Sequence, residues 1–471
     1  MHEKEGNASM RLTMQLGFLL LGCLLLAWGG TTRGAEAERP NILLIVADDL
    51  GWNDVSYHGS TCRTPHLDQL AKTGVELDQH YVQPVCSPTR AALLSGRYPS
   101  RFGPHVTKPS NRRAFPADTV TLASALKSVG YSTYITGKWH LGSRPEWGPN
   151  NYGFDQSYGI LTGAADPWTH AYRPGPYAHT LHRNHTTVRE EGNLTELLTE
   201  QAVEWIRANR EPWFIYVPFT AVHIPIDTPE EYKQQWADKT WFDDPALNES
   251  KRRYAAFISQ LDAKIGQLVS ALDESGQREK TLIIFTSDNG GLARGGNAYI
   301  SDVPPTPVLA DNTPLRGFKN ELYEGGIRVP ALVNWKGHLE PRKMTAPMHV
   351  ADWMPTLTQL VGWQPEEDLQ WDGQNIWPLL TGEESSPQER TIYWALGDRK
   401  QGSFAVRKGD WKLILRPSGK VELFNLGNDP REKTNLAADQ PERVEELKGL
   451  IAKHQEQDLH KIPADIVDFP R

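Results

Sequence analysis

Continuous apolar runs of strand length alternate along this chain with longer segments whose apolar residues recur at helical spacing. Runs without polar alternation are typical of strands that are buried on both faces, as in a parallel sheet. We predict such strands at 41–47, 131–136, 213–219 and 281–287, and another at 327–335. We predict helices at 64–71, 120–129, 195–209 and 251–272, with one more that opens at Asp352. Strands that alternate with helices predict an α/β fold, in which helices flank a large and mostly parallel (mixed) sheet.

Two parts of the chain depart from this alternation. The segment 151–189 is rich in Gly, Pro, Tyr, Trp and His, so we predict an irregular loop that forms part of the wall of a substrate pocket. After about Thr391, four short runs joined by Gly-rich turns predict an antiparallel sheet, and 441–455 predicts a final amphipathic helix. We therefore place one large catalytic domain at 38–388 and a smaller C-terminal α+β subdomain at 389–471.

Composition and the N-terminus narrow the class of protein further. The 471 residues carry a net charge of -8, which argues against a nucleic-acid surface because such a surface needs a basic excess. We predict a signal peptide over 1–37, because Arg11 precedes an apolar run at 16–28 and Ala35-Glu36-Ala37 fits a small-x-small cleavage site. The run is too short to be a stable membrane span, so we predict an exported protein, periplasmic or secreted. Lipid anchoring through Cys23 is the less favoured alternative, because Cys23 lies in the middle of the apolar run.

The three cysteines cannot form a disulfide framework in the exported chain. Cys23 would leave with the signal peptide and Cys62 is interpreted as a buried thiol, so Cys86 is kept for a reason other than a disulfide, or for none. Cys86 opens the stretch Cys-Ser-Pro-Thr-Arg at 86–90, and Ser-Gly-Arg follows at 95–97. A lone cysteine in a chain of this size is usually ordinary core packing, so a chemical role for Cys86 rests on the resemblance of this stretch to a family signature.

Polar residues follow four of the predicted strands at their carboxyl ends, which is where open α/β sheets bind their ligands. They are Asp48 and Asp49, Lys138 and His140, His223, and Asp288 and Asn289. We expect these side chains to converge. Carboxylate and amide oxygens are the ligands of hard cations, so the aspartates and the asparagine predict a site for one divalent cation, calcium or magnesium.

Cations and histidines complete a set of residues suited to an oxyanion. Arg90, Lys138 and Lys319 can neutralise a transferring anion and hold a nucleophile. His140 and His223 titrate near neutrality and can move protons. The set therefore indicates chemistry on an anionic group.

These motifs together resemble the type I sulfatases and, within that family, the arylsulfatase B (N-acetylgalactosamine 4-sulfatase) branch. The matching stretches are 47–54, 83–97, 137–142, 287–291 and 314–319, while 423–436 resembles the family's C-terminal domain. The resemblance covers nearly the whole mature chain. It implies an alkaline-phosphatase-like fold and a sulfuric ester hydrolase that releases inorganic sulfate.

The resemblance also implies a mechanism built on Cys86. A formylglycine-generating maturation enzyme would convert Cys86 to 3-oxoalanine (Cα-formylglycine), whose aldehyde hydrates to a geminal diol. One hydroxyl would attack sulfur, and the other, deprotonated by His140, would expel sulfate and regenerate the aldehyde. His223 and Lys319 would protonate or stabilise the leaving sugar oxygen.

Bound groups and substrate follow from the same resemblance. One calcium ion would be held by Asp48, Asp49, Asp288, Asn289 and the modified Cys86. Arg90 and Lys138 would steady the formylglycine and the sulfate. The substrate would be a sulfated carbohydrate of the N-acetylgalactosamine sulfate or galactan type, although the pocket loops 151–189 and 297–312 match no specificity.

Two other functions remain open from the sequence. One is a phosphomonoesterase or phosphonate hydrolase of the same fold, but such enzymes generally use Thr or Ser and several metal ions where this chain has Cys86. The other is a non-catalytic glycan-binding relative, and binding alone would not require Cys86.

Overall fold

The predicted strands form one large mixed sheet in the computed structural model, which describes residues 39–173, 175, 177–209, 212–295, 306–307, 309–384 and 389–466. Its strands are β1 Asn41–Ala47, β2 Val75–Leu77, β4 Ser132–Lys138, β5 Gln156–Ile160, β6 Leu181–Arg183, β7 Thr186–Thr187, β8 Trp213–Pro218, β9 Thr281–Ser287, β12 Ala331–Asn334 and β13 Arg342–Met344. Two short pairs stand outside it: β3 His80–Tyr81 with β14 Met348–His349, and β10 Arg294–Gly295 with β11 Thr306–Pro307. The strand order is β13-β2-β12-β9-β1-β8-β4-β5-β6-β7. The central strands from β9 to β5 run parallel.

Helices cover both faces of this sheet. They are α1 Pro65–Lys72, α2 Cys86–Ser95, α3 Leu122–Ser128, α4 Leu194–Ala208, α5 Glu230–Gln234, α6 Pro245–Glu274, α7 Glu324–Ile327, α8 Trp353–Leu360 and α9 Trp377–Thr381. Successive residues of β1 enter two different apolar clusters, because side chains alternate across a strand. Leu44 packs in the cluster that includes α2, α3 and α8, and Ile45 packs in the cluster that includes α1, α4 and α6. Burial on both faces therefore explains why this run shows no polar alternation.

The segment 151–189 is irregular over part of its length, as its composition predicts, but it also contains strands that the composition does not predict. It contributes β5, β6 and β7, which extend the sheet at one edge. Gly159 of β5 pairs with Gly137 of β4, and a Cβ on Gly159 would lie only 2.0 Å from the Gly137 carbonyl oxygen. The glycines that suggested a loop are required here because the two backbones approach too closely for a side chain.

Other predicted elements differ mainly in their boundaries. α6 starts earlier than predicted, at Pro245, because the side chain of Asp244 caps the helix by accepting from Ala246 N. The strand predicted at 327–335 is shorter, because α7 occupies its first residue and β12 begins only at Ala331.

The C-terminal antiparallel sheet has the four strands that the sequence predicts. They are β15 Thr391–Leu396, β16 Ser403–Lys408, β17 Trp411–Leu415 and β18 Val421–Asn425, followed by α10 Pro441–Glu456. One face packs Trp394 and Phe424 against Tyr81 and Ile327 of the larger part of the fold. The other face packs against α10. The small sheet therefore lies between its own helix and the elements that surround the large sheet.

Some predicted segments lie outside the described residues. These are the signal peptide at 1–37 and, within the pocket loop 297–312, all but 306–307 and 309–312. Within the described ranges, no helix is long and apolar enough to cross a membrane.

Candidate active site

Four strands of the central sheet bring polar residues to one edge. Asp48 and Asp49 follow β1, Asp288 follows β9, Lys138 ends β4, and His223 lies in the loop after β8. These strands are parallel neighbours, so their carboxyl ends meet. Backbone hydrogen bonds fix the junction, because Asp48 N donates to Ala221 O at 2.9 Å and Val222 N donates to Asp48 O at 2.8 Å.

Two buried ion pairs form the floor of the site. Lys138 Nζ donates to Asp48 Oδ2 at 2.6 Å, and Arg90 Nη2 donates to Asp288 Oδ2 at 2.6 Å. A third bond joins the pairs, since Arg90 Nη1 donates to the Lys138 carbonyl oxygen at 2.7 Å. All four side chains are fully buried. Charges at this depth persist only when each has a close partner, so the four positions are mutually dependent.

Asp49 is the centre of a second cluster beside the first. Its Oδ1 accepts from Lys319 Nζ at 2.5 Å and from Asn289 Nδ2 at 2.7 Å. Burial raises the pKa of Asp49, but Lys319, followed by His223, outweighs burial and holds this pKa below its ordinary value. Asp49 is therefore ionised at neutral pH.

His223 faces the same carboxylate. Its Nε2 lies 3.7 Å from Asp49 Oδ2, beyond hydrogen-bond distance, while Nδ1 lies 2.5 Å from the carbonyl oxygen of Ile224. A neutral imidazole carries a single N–H proton. Because a carbonyl oxygen can only accept a hydrogen bond, this contact places that proton on Nδ1. Burial lowers the pKa of His223 to about 3, although Asp49 opposes the shift. A neutral His223 therefore presents the lone pair of Nε2 to the site.

Cys86 is the first residue of α2 and faces His140. Its Sγ lies 3.3 Å from His140 Nδ1, and both side chains are buried. Gly163 closes the other side of the ring, since a Cβ there would lie 2.5 Å from His140 Nε2. Burial raises the pKa of the Cys86 thiol, although the charge of Lys138 opposes that shift. Burial also holds the pKa of His140 well below its ordinary value. The arrangement therefore contains a neutral base beside a thiol that is not activated as a thiolate.

Three oxygens of the site are suited to a cation. Asp48 Oδ1, Asp49 Oδ2 and Asn289 Oδ1 are buried and have no hydrogen-bond partner among the described residues. Burial, followed by the charge of Asp288, raises the pKa of Asp48 to about 7, whereas Lys138 lowers it. Unpartnered buried oxygens are costly, and a hard divalent cation would satisfy all three. The donor set therefore fits calcium or magnesium.

Asp288, another predicted ligand, already uses both of its side-chain oxygens in hydrogen bonds. Asp288 Oδ2 accepts both bonds from Arg90, and Asp288 Oδ1 lies 3.3 Å from Asp49 N, so its oxygens already have partners. Ligand atoms of Asp48, Asp49 and His223 lie within 4.8 Å of one another. The structure thus brings all the predicted site residues into one cluster and adds His223 Nε2 to the atoms near the cation position.

Several supporting residues were given no role from the sequence. Asp54 is buried and accepts from Gly51 N, Asp311 N and Tyr254 Oη at 2.9, 3.0 and 2.6 Å. It holds the turn after β1 against α6. Ser287 accepts from Leu50 N and donates to Asn289 O, which ties that turn to the end of β9. The only sequence signal was their place in stretches that also contain the predicted ligands.

A mostly parallel sheet that gathers charged and polar residues at its carboxyl edge, next to a small antiparallel sheet, gives the chain the alkaline-phosphatase-like fold. Two family profiles match: one described as "Sulfatase" over residues 40–363, and one described as "N-sulphoglucosamine sulphohydrolase, C-terminal" over 318–459. The chain belongs to the type I sulfatase family, whose members are sulfuric ester hydrolases. The family resemblance of its motifs is thereby confirmed.

Individual relatives cover most of the chain. Arylsulfatase J of Mus musculus is 35% identical over an alignment of 410 residues that covers 83% of this chain and 64% of that protein. The N-acetylgalactosamine-6-sulfatase of Homo sapiens is 29% identical and covers 91% of this chain and 88% of its own length. Among solved structures, that of Ps i-CgsB in complex with k-i-k-neocarrahexaose superposes with a TM-score of 0.78 at 30% identity, covering 90% of this chain and 94% of that one.

Proposed function

We propose that this protein hydrolyses sulfate esters of a sulfated carbohydrate, using a formylglycine formed from Cys86 and one calcium ion. The proposal rests on the position of Cys86 at the start of α2, where its Sγ lies 3.3 Å from Nδ1 of the neutral His140. The buried oxygens suited to a cation belong to the same site. An ordinary cysteine nucleophile is disfavoured because burial raises the pKa of this thiol. A hydrated aldehyde at the same position would need no thiolate.

In this proposal, each step of the reaction is assigned to particular residues of the chain. Arg90 and Lys138 hold the modified residue and the sulfate, and His140 takes the proton of the hydroxyl that expels sulfate. Lys319, whose pKa is raised by Asp49 against the effect of burial, is the charged donor at the leaving oxygen. His223 becomes a second donor once an anionic substrate lies against it. Calcium on Asp48, Asp49, Asp288, Asn289 and the modified residue would draw negative charge off the transferring group.

The class of substrate is proposed from the relatives. One relative is named for N-acetylgalactosamine 6-sulfate chemistry, and a solved neighbour holds a neocarrahexaose. These names support a sulfated amino sugar or a sulfated galactan as the substrate. We further propose that the protein is exported, periplasmic or secreted, and that a formylglycine-generating enzyme modifies Cys86 before it acts.

Sulfate release from defined glycans tests the function. The protein is co-expressed with a formylglycine-generating enzyme and assayed on 4-sulfated and 6-sulfated N-acetylgalactosamine, sulfated galactose and the matching phosphate esters. We expect sulfate release from one sugar and negligible phosphate release. Faster phosphate release would support the phosphomonoesterase alternative. Glycan binding without any release, by protein whose Cys86 is shown by peptide mass to be modified, would support the non-catalytic alternative.

Calcium is expected to stabilise the folded protein as well as support turnover. Adding calcium to chelated protein at about 100 times Kd should stabilise it by about 2.7 kcal/mol, seen as a rise in Tm. Asp49→Asn should lose most of this rise because it weakens a ligand with an unpartnered oxygen. Asp262→Asn is the matched control, since Asp262 is a buried carboxylate outside the site whose oxygens accept from His66 N and Leu67 N. Equal calcium-dependent rises in the wild type and in Asp49→Asn would contradict the assignment.

A further inference from the structure

Trp168 is an exposed tryptophan held in a fixed orientation on the loop after β5. It is 43% exposed, yet its indole Nε1 donates to Asp227 Oδ2 at 3.0 Å. Its backbone N donates to Asp166 Oδ1 at 3.0 Å, and Lys233 lies 2.8 Å from the other oxygen of Asp227. An indole that is fixed through its N–H offers an apolar face to a ligand at little entropic cost.

The hydrogen bond between Trp168 and Asp227 joins two loops that both begin in the active site. Gly163, five residues before Trp168, packs against the ring of His140. Asp227 lies four residues after His223, which faces Asp49. Five residues span at most about 18 Å of extended chain, so the backbone of Trp168 lies no farther than that from Gly163, within the reach of an oligosaccharide.

A cavity of about 240 Å³ lies beside the indole. Its charged lining residues are Arg189, Glu190 and Glu191. Glu190 is already engaged, because Arg183 donates to its Oε1 at 3.3 Å and Tyr158 donates to its Oε2 at 2.7 Å. Arg189 and Glu191 then offset each other, and His170 and His179 complete the polar lining, so the cavity lacks the fixed positive excess that an anion would need. The catalytic centre, by contrast, gathers Arg90, Lys138 and Lys319.

We propose that Trp168 is a stacking platform for an unsulfated sugar ring that neighbours the sulfated ring of the substrate. The apolar face of a pyranose would lie on the indole, and its hydroxyls would contact the balanced polar lining of the cavity. The inference rests on the proposed function and adds that the enzyme recognises more than the sulfated residue itself. The neighbouring ring is expected to be uncharged, because the cavity offers no positive excess to a sulfate.

The test compares substrates of two lengths in Trp168→Ala. The short substrate is the sulfated monosaccharide selected by the glycan panel, and the long one is an oligosaccharide that carries this residue next to an unsulfated ring. In Trp168→Ala, KM for the long substrate should rise about tenfold relative to KM for the short one, with a smaller rise in Trp168→Phe. Phe242→Ala is the matched control, because Phe242 is an exposed aromatic residue, 37% exposed, outside the two loops.

Each other outcome overturns the proposal. Equal changes of KM for both substrates would mean that Trp168 only supports the fold, and preference for a sulfated neighbouring ring would exclude a neutral subsite. Binding to Cys86→Ala of each sulfated monosaccharide of the panel and of the matching longer sugar, measured by calorimetry, separates this inference from the catalytic one. A tenfold weaker binding of the long sugar in the double variant Cys86→Ala, Trp168→Ala would support the platform even if the wild type released no sulfate. Unchanged binding there would overturn it.

Discussion

Cys86→Ser is expected to stop the protein after a single turnover. A serine that the maturation enzyme does not oxidise has one hydroxyl, which can attack sulfur but leaves no second hydroxyl to expel sulfate. His140 remains in place as the base, because the substitution changes only the atom that faces it, 3.3 Å away. Steady-state sulfate release should fall by about 10⁴-fold or more. A burst of leaving-group release, stoichiometric with protein, should precede the stop.

Intact mass distinguishes this result from simple inactivation. Cys86→Ser should carry one covalent sulfo group after exposure to substrate, and peptide mapping should place it at position 86. Cys86→Ala is the control and should show neither burst nor adduct, since it has no nucleophile. Continued turnover by Cys86→Ser, or by wild-type protein in which mass shows an unmodified cysteine, would disprove the formylglycine mechanism.

The parts of the fold that the sequence predicts well are those in which local pattern and tertiary environment agree. β1 and β9 were predicted at their observed residues because a strand buried on both faces must be apolar throughout. Asp48, Lys138 and Asp288 could be placed together because parallel strands end at a common edge. The contacts that fix each side chain, such as Arg90 on the Lys138 carbonyl oxygen, depend on packing between distant segments and had no sequence signal.

The segment 151–189 shows why the rest could not be predicted. Glycine has a low strand propensity, yet Gly159 lies in β5 because Gly137 leaves no room for a side chain. Propensity describes one residue, whereas this constraint belongs to a pair of strands. Trp168 is a similar case. Its sequence position suggested a pocket wall, but only the structure shows its hydrogen bond to Asp227, in the loop that also contains His223.

The sequence also did not predict the contacts by which the C-terminal sheet supports the turn that carries Lys319. Lys412 of β17 is fully buried, and its Nζ lies 2.9 Å from Glu324 and 2.8 Å from Glu432. Glu432 also accepts from Glu324 N at 2.7 Å through its side chain and from Arg316 at 2.7 Å through its carbonyl oxygen. The small sheet therefore holds both ends of the turn that carries Lys319.

This turn reaches the catalytic centre through the backbone. Lys319 N donates to Gly291 O at 3.1 Å, and Gly290 N donates to Gly326 O at 3.1 Å. Asn289, whose buried Oδ1 has no hydrogen-bond partner among the described residues, immediately precedes these glycines. A change at Lys412 should consequently affect stability first and the position of Lys319 second.

Lys412→Met is accordingly expected to destabilise the protein by about 3–5 kcal/mol, because it leaves the buried carboxylate of Glu432 without its cation and that of Glu324 with only Arg328, 3.9 Å away. Burial already raises the pKa of Glu432 to about 7, so this carboxylate depends on Lys412 for its ionised form. The neutral triple variant Lys412→Met, Glu324→Gln, Glu432→Gln should regain much of the lost stability, because it removes the stranded charges together with their partner. Urea unfolding measures both effects. If the single and triple variants unfold at the same urea concentration, the loss comes from packing around Lys412 and not from stranded charge.

At a temperature where the single variant is folded, its kcat should fall if the turn no longer holds Lys319, and the triple variant should recover part of that rate.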